Sequence, residues 1–125
     1  MKIILSNSSN LPIYEQITEQ IKSMILQGEL KEGDSLPSMR TLAKDLRISV
    51  ITTKRAYEEL EKDGFTRSFT GKGSFVSPKN IDLLHEENLK KIETGLNNVI
   101  ELSRTIGLTR DELSAMFNLL YDGSL

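Results

Sequence analysis

The sequence lacks cysteine altogether and contains a single histidine, His85, among its 125 residues. The absence of cysteine excludes disulfides, thiolate metal sites and thiol nucleophiles, and it is typical of proteins from a reducing compartment. One imidazole leaves a single possible catalytic base, and Asp82 is the only acid at a helical spacing that could share a metal ion with His85. We therefore predict that the protein is not an enzyme and binds neither a metal nor a cofactor.

Long hydrophobic runs are also absent. The first ten residues contain only the apolar run Ile3 to Leu5, which is far shorter than the core of a signal peptide. Nowhere does an uncharged apolar stretch approach the roughly 18 to 20 residues that cross a bilayer. These absences predict a cytoplasmic protein with no membrane partner.

Helical periodicity dominates the first half of the chain. An apolar stripe that follows Pro12 and stops at Gly28 predicts a helix over about 12–27. A second, shorter pattern follows Ser38 and predicts a helix that ends at about Leu46.

A third helix is predicted after Ser49, whose hydroxyl can cap its free backbone N–H groups. It should end at Asp63-Gly64. Its inward stripe is expected to consist of Thr53, Ala56, Tyr57 and Leu60. Two helices joined by a turn as short as Arg47-Ile48 form a helix-turn-helix, although this turn lacks the glycine that is common in the motif.

The periodicity changes from 3.6 to 2 after the third helix. Phe65, Arg67 and Phe69 are expected to share one side of a strand, and Ser74 to Val76 form a second β-favouring run. Thr70 to Gly73 between them make a glycine-containing tip. Two strands joined in this way form a β-hairpin, and a hairpin directly after a helix-turn-helix is a wing.

The last part of the chain, residues 81 to 125, contains no proline and no strand-like alternation. A heptad seam predicts a long helix over 81–106, and Thr109 with Glu112 has the signature of a capping box at the start of another helix. The seam consists of Leu89, Ile92, Leu96, Val99 and Ile106, and the apolar stripe of the last helix consists of Leu113, Met116, Phe117 and Leu120. Two helices of this size are too small to enclose a hydrophobic core of their own, so we expect them to dock onto a second copy of the chain. A small-molecule pocket lined by the same residues is the alternative.

These patterns together predict a mostly α fold. Residues 11–79 should form a winged helix-turn-helix of three helices plus a β-hairpin wing. Residues 80–125 should form an antiparallel two-helix hairpin that serves for dimerisation.

The net charge of −2 conceals two regions of opposite sign. Residues 1 to 80 hold 12 basic and 10 acidic side chains, whereas residues 81 to 125 hold 4 basic and 8 acidic ones. Within residues 38 to 79 the net charge is +4, and four of the five acids there lie late in the third helix. A helix with a basic start opposes its own dipole, so this polarity favours contact with phosphates rather than helix stability.

Basic residues of the helix-turn-helix are the first candidate DNA contacts. Lys54 and Arg55 lie away from the inward stripe and can reach phosphates or the guanine O6 and N7 atoms. Arg40 in the second helix can bind a phosphate or reach a groove. Its alternative role is a surface salt bridge with Asp45 or with an acid of the third helix.

The start of the third helix and the wing tip complete the predicted contact surface. Val50 and Ile51 either contact thymine methyls or, in the alternative, one of them completes the core. Lys72 lies between two glycines that would let the backbone approach a phosphate or a minor groove, although a generic hairpin tip uses the same residues. The full predicted set is Ser38, Arg40, Ser49, Val50, Ile51, Thr52, Lys54, Arg55, Gly71, Lys72 and Gly73.

Six segments between residues 12 and 77 follow one another in the order and spacing of a known family. They are Pro12-Ile13-Tyr14-Glu15-Gln16-Ile17, Gly28-Glu29-Leu30, Gly33-Asp34-Ser35-Leu36-Pro37-Ser38-Met39-Arg40-Thr41-Leu42-Ala43, Ala56-Tyr57-Glu58-Glu59-Leu60-Glu61, Asp63-Gly64-Phe65 and Gly71-Lys72-Gly73-Ser74-Phe75-Val76. In this arrangement the chain resembles the GntR family of bacterial transcription regulators. Its two-helix tail is similar to that of the YtrA subfamily.

The resemblance implies DNA contacts at Arg40, at the start of the third helix from Ser49 to Lys54, and at the tip Gly71 to Gly73. Many family members carry an arginine at the position of Val50, so base reading here is expected to rest more on Lys54, Arg40 and the wing. Members of the YtrA subfamily dimerise through the tail and are typically autoregulated repressors of operons, many of which encode ABC transporters. The larger effector-binding domains of other subfamilies have no counterpart here, and we expect no small-molecule effector.

The sequence thus predicts a homodimeric DNA-binding repressor of its own operon that recognises a pseudo-palindromic site in double-stranded DNA. The alternative is a winged-helix module that binds proteins and not DNA. The basic residues Lys54, Arg55 and Lys72 favour the first reading, because a protein-binding wing does not require them.

Overall fold

The computed structural model describes residues 1–77 and 81–123, apart from the side chain of Leu83. Its elements are α1 (Ile13–Leu26), α2 (Met39–Leu46), α3 (Val50–Lys62), β1 (Thr66–Phe69), β2 (Gly73–Val76), α4 (Ile81–Thr105) and α5 (Arg110–Tyr121). The predicted mostly α fold with one β-hairpin is confirmed.

The chain divides into a first unit, residues 1–82, and a second unit, residues 83–125. The predicted domain boundary between residues 79 and 80 lies outside the described residues.

The core of the first unit lies between α1 and α3. The apolar side chains on the facing stripes of the two helices are completely or almost completely buried. Phe65 and Val76, which come after α3, are buried with them, and this removal of apolar surface from water stabilises the fold. The buried side chains include Ile17, Ile21, Ile25, Ala56, Tyr57, Leu60, Phe65 and Val76. The predicted inward stripe of α3 is therefore confirmed, because Thr53 is buried together with the three apolar members.

The segment before α1 is attached to that helix by two glutamine side chains. The amide of Gln20 accepts a hydrogen bond from the Ile4 N–H at 2.9 Å and donates one to the Ile4 carbonyl at 2.7 Å. Gln16 accepts from the Ser6 N–H at 2.8 Å and donates to the Leu11 carbonyl at 2.9 Å. These side chains replace the backbone partners that an extended segment would otherwise find in a sheet.

The turn between α2 and α3 depends on Arg47, which adopts a left-handed conformation with φ of 57°. A left-handed residue ends a helix by satisfying its last carbonyls, and glycine usually occupies this position. Here the N–H groups of Arg47 and Ile48 bond to the carbonyls of Lys44 and Ala43. Arginine thus performs the function of the missing glycine.

The wing pairs β1 with β2 in antiparallel register, Arg67 opposite Phe75 and Phe69 opposite Gly73. Phe65 lies before β1 and is buried in the core, whereas Arg67 and Phe69 are exposed. The predicted shared side is confirmed for Arg67 and Phe69, since the Arg67 guanidinium lies over the Phe69 ring, whereas Phe65 precedes the strand.

The base of the wing is held by backbone hydrogen bonds to the chain just before α2. The Leu36 N–H donates to the Ser74 carbonyl at 2.9 Å, and the Val76 N–H donates to the Asp34 carbonyl at 2.8 Å. A β-bridge joins Ser35 to Phe75. β2 therefore has partners on both sides, which the sequence pattern does not reveal.

In the second unit, Gly107 with φ of +71° follows α4, and α5 begins with a complete capping box. The Thr109 hydroxyl accepts from the Glu112 N–H, and the Glu112 carboxylate accepts from the Thr109 N–H, each at 3.2 Å. The predicted two-helix tail and its capping box are confirmed. Among the described side chains of α4 and α5, only Ser103 is buried.

Candidate nucleic-acid interface

The first turn of α3 presents its outer side to solvent. The Ser49 hydroxyl caps the helix by accepting from the Ile51 N–H at 3.1 Å. Because the buried stripe occupies the opposite side, the side chains of Ile51, Lys54 and Arg55 are exposed, and that of Thr52 is half-buried. Four of the predicted contact residues thus lie on one short stretch of helix that is open to a partner.

Val50 and Ile51 do not belong to the core. Ile51 is 79% exposed and Val50 is 39% exposed. The alternative that one of them completes the core is therefore wrong.

Two buried hydroxyls fix α3 against the chain around α2. The Thr53 hydroxyl lies 3.0 Å from the Met39 carbonyl oxygen and 2.9 Å from the Val50 carbonyl oxygen, so its proton has an acceptor on either helix. The Tyr57 hydroxyl donates to the Pro37 carbonyl at 2.6 Å, and burial raises the pKa of Tyr57 above its ordinary value of 10, which keeps the donor protonated. Both residues were predicted to belong to the inward stripe of α3, but periodicity alone does not indicate these hydrogen bonds.

Arg40 lies in the first turn of α2 and is exposed. In residues 1–77 and 81–123, no carboxylate lies within 4.0 Å of its guanidinium, so the alternative salt bridge with Asp45 or an acid of α3 is not formed. Ser38, directly before the helix, accepts from the Thr41 N–H at 3.0 Å and donates to the Thr41 hydroxyl at 2.8 Å. Ser38 thus caps α2, and Arg40 is available to bind an anion.

The two basic residues of α3 have different surroundings. Lys54 lies 3.9 Å from Glu58, and both side chains are exposed, so the ion pair contributes little to stability. Lys54 can therefore leave Glu58 and bind another anion. Arg55 stacks on the ring of Tyr14 in α1, with its guanidinium carbon 3.8 Å from the ring centroid. The sequence pattern does not indicate this stacking, because only the packing of α1 on α3 brings the two residues together.

The wing tip combines one exposed cation with two glycines of positive φ. Gly71 has φ of +77° and Gly73 has φ of +96°, conformations that a side chain would strain. The Lys72 N–H donates to the Phe69 carbonyl at 2.9 Å and closes the turn, which leaves the Lys72 side chain exposed. Arg67 lies over the Phe69 ring at 5.5 Å, which adds a second cation to the wing.

The apolar residues predicted for the dimer interface are exposed on α4 and α5. Ile92 is 58% and Phe117 is 52% exposed, and Leu113 is half-buried. Leu89, Leu96, Val99, Ile106, Met116 and Leu120 are also exposed. Some of these residues line a groove of about 500 Å³ between the two helices, with Arg104 and Arg110 also in its wall.

Other classes of site find little support in the part of the chain that the structure describes. No three histidine, aspartate or glutamate side chains there are grouped as metal ligands, and His85 is exposed. None of the described helices combines the length and the apolar character that crossing a membrane requires.

Comparisons with known proteins agree with this geometry. Residues 13–76 match the family described as bacterial regulatory proteins, gntR family. The HTH-type transcriptional repressor YtrA of Bacillus subtilis (strain 168) is 35% identical over 105 residues, which are 84% of this chain and 81% of that protein. A transcriptional regulator from Oenococcus oeni matches with a TM-score of 0.71 and 26% identity, over 94% of this chain and 97% of that one. AraR(DBD) in complex with operator ORX1 matches with a TM-score of 0.55 and 28% identity, over 62% of this chain and 96% of that one.

Proposed function

The chain belongs to the bacterial gntR family of regulatory proteins, which are transcription regulators and not enzymes, and we propose that it acts as a homodimeric repressor that binds a pseudo-palindromic operator. The observation that carries the DNA-binding part is the exposed, basic first half of α3, together with the exposed guanidinium of Arg40 in the first turn of α2. An α-helix fits the major groove, and residues at its N-terminal end are those that contact base edges.

Within this proposal the contacts are divided by their chemistry. The first turn of α3, from Ser49 to Thr52, reads bases, with Lys54 at its edge. Arg40 and the wing residues Gly71, Lys72 and Gly73 bind phosphates, which fixes the register of the protein on the duplex, and they share base reading with Lys54 because Val50 carries no hydrogen-bonding side chain. Ser38 contributes through its cap on α2, which holds the backbone that carries Arg40.

The dimer part of the proposal rests on the second unit. Its exposed seam repeats at heptad spacing, and two such helices gain most of their stability only when a partner covers the apolar face. We propose that a second copy covers the groove between α4 and α5, and that residues 80–125 act as the dimerisation part beside a DNA-binding part at 11–79. A second copy is favoured over a small-molecule effector because the apolar surface continues far beyond the groove, to Leu89 and Ile106.

The repressor part rests on the relatives. The Bacillus subtilis relative is named as a transcriptional repressor, and we propose that this chain likewise represses its own operon in the cytoplasm. Transporter genes of the ABC type are the proposed targets, as the likeness to the YtrA subfamily implies. Expression of a reporter from the promoter upstream of the gene should rise when the gene is deleted.

A binding experiment tests the DNA-binding part directly. Wild-type protein is used to select sequences from a random duplex library, and the selected duplex is compared with an unselected one at a low and at a physiological salt concentration. We expect enrichment of a two-fold symmetric sequence with half-sites about one helical turn apart, and a steep loss of affinity with salt as counterions are released. Equal affinity for selected and unselected DNA, or no dependence on salt, would contradict the proposal and favour a protein-binding wing.

A further inference from the structure

Arg55 belongs to the predicted DNA contacts and is stacked on the aromatic ring of Tyr14. Tyr14 belongs to the first turn of α1, and Arg55 lies on the exposed side of α3. A distance of 3.8 Å between the guanidinium carbon and the ring centroid is well within the roughly 6 Å of a cation–π contact. The contact therefore restricts a side chain that would otherwise sample many rotamers.

The guanidinium of Arg55 forms no close ion pair among the described residues, although Glu15 and Glu59 both act electrostatically on Tyr14. The Tyr14 hydroxyl donates to Glu15 Oε1 at 3.0 Å, and this hydrogen bond raises the pKa of Tyr14 above its ordinary value, so the ring remains neutral. Across residues 1–77 and 81–123, no carboxylate oxygen lies within 4.0 Å of the Arg55 guanidinium, whereas Lys54 one residue earlier has Glu58 at 3.9 Å. A stacked guanidinium keeps its edge donors free for a planar or tetrahedral oxyanion.

The place of Arg55 along α3 indicates which part of DNA it would meet. Base edges are contacted by the N-terminal residues of a reading helix. Arg55 follows Val50, the first residue of α3, by more than one turn, and its guanidinium lies over a residue of α1. Both facts favour the phosphate backbone beside the groove over the bases inside it.

We propose that Tyr14 and Arg55 form a preorganised clamp for one phosphate group of the DNA backbone, in which Arg55 makes the contact and Tyr14 is the positioning residue. The proposal rests on the proposed function, because it takes DNA as the partner. Its physical basis is that stacking restricts the arginine before DNA arrives, so that less conformational freedom is lost when the phosphate is bound.

The test uses the full chain and two probes, the duplex that wild-type protein selects from a random library and an unselected duplex of the same length. Arg55→Gln removes the charge, and we expect about tenfold weaker binding to both probes, since a phosphate contact carries no sequence information. The slope of log Kd against log salt should fall by about 2, because each neutralised phosphate contributes about 0.9 and a dimer carries two clamps. Lys90→Gln on exposed α4 removes the same charge elsewhere and should leave both quantities unchanged.

Variants of Tyr14 separate positioning from simple charge. Tyr14→Leu keeps the charge of Arg55 but removes the ring, and we expect about three- to tenfold weaker binding with most of the salt slope retained. Tyr14→Phe keeps the ring face and should bind like wild type. Arg55→Lys keeps the charge without the planar group, and it should resemble Tyr14→Leu, since an ammonium does not stack as a guanidinium does.

The double variant Tyr14→Leu/Arg55→Gln decides whether the two residues act together. In a clamp its affinity equals that of Arg55→Gln alone, because Tyr14 acts only through Arg55. Additive losses, or wild-type affinity in Tyr14→Leu, would overturn the role of Tyr14. An unchanged slope in Arg55→Gln would overturn the phosphate contact. Thermal unfolding of each variant separates a loss of contact from a loss of fold, and Tyr14→Phe and Arg55→Lys retain most of the packing if the larger changes destabilise the unit.

The outcome for the clamp is distinguishable from the outcome for the proposed function. If wild-type protein enriches no sequence and binds neither probe, the proposed function fails and the clamp fails with it. If wild-type protein binds its selected duplex and the variants of Tyr14 and Arg55 bind it equally well with the same salt slope, the clamp alone is wrong.

Discussion

The two units of the chain use equally regular apolar patterns in opposite ways. In the first unit, the stripes of α1 and α3 bury each other, and Ile17, Ile21 and Leu60 have no exposed surface. In the second unit, residues at heptad spacing are about half exposed, as Leu96 is at 50%. The comparison shows that periodicity predicts a helix and its apolar face. It does not predict whether that face is covered by another part of the same chain or by a different molecule.

Removal of a core side chain should show the largest effect and should be confined to the first unit. Phe65 is fully buried, so Phe65→Ala is expected to lower the free energy of unfolding by about 3–5 kcal/mol through lost burial and the cavity left behind. Urea denaturation followed by circular dichroism measures this change. Phe69→Ala provides the control, because Phe69 is 46% exposed, and a loss as large as that of Phe65→Ala would contradict the assignment of the core.

A charged side chain in the heptad seam of α4 should dissociate the proposed dimer without unfolding the first unit. Ile92→Asp places a carboxylate in the proposed dimer interface, and we expect the dimer dissociation constant to rise at least hundredfold, since a buried unpaired charge costs several kcal/mol. Sedimentation velocity at several concentrations reports the change. Thr94→Asp adds the same charge two residues away, off the heptad seam of α4, and should remain dimeric; an intact Ile92→Asp dimer would remove the seam from the interface.

Exposed cations of the first unit should affect binding and leave stability unchanged. Lys54→Ala and Arg40→Ala are each expected to weaken binding to the selected duplex by about 1–3 kcal/mol, while the dimer and the unfolding transition stay as in wild type. Titration by fluorescence anisotropy, combined with sedimentation, measures both properties. Wild-type affinity in either variant would contradict the assignment of that residue.

The capping box of α5 should give the smallest effect. Thr109→Ala removes the hydroxyl that accepts from the Glu112 N–H and is expected to cost about 1 kcal/mol. Thr105→Ala is a matched control, because the Thr105 hydroxyl donates to the Glu101 carbonyl within α4 and caps no helix start. Thermal unfolding of the two variants compares them, and equal shifts would show that the capping box adds nothing.

Local interactions account for most of what the sequence predicted. The Ser49 cap and the Thr109–Glu112 capping box depend on residues within three positions of one another, and both were predicted and are present. The end of α1 before Gly28 and the inward stripe of α3 follow from the same short-range rules.

Contacts between distant segments account for what the sequence did not reveal. The bonds from Gln20 to Ile4 and the stacking of Arg55 on Tyr14 join residues that are 16 and 41 positions apart. Many pairings at such separations are compatible with one pattern, and only the packed core selects among them. The exposure of Ile51 was open for the same reason, because an apolar residue at a helix start fits a core and a binding surface equally well.

The bonds at the base of the wing have a consequence for how this protein tolerates change. The chain from Gly33 to Leu36 is joined to β2 through backbone groups and leads through Pro37 directly into α2. Backbone hydrogen bonds form with almost any side chain at a given position. They do depend on the number of residues between the bonded positions, because an added or removed residue shifts the pairing. Substitutions at Ser35 should therefore be accepted readily, whereas the insertion or deletion of one residue between Asp34 and Ser38 should shift the wing tip relative to Arg40 and abolish operator recognition in a chain that still folds.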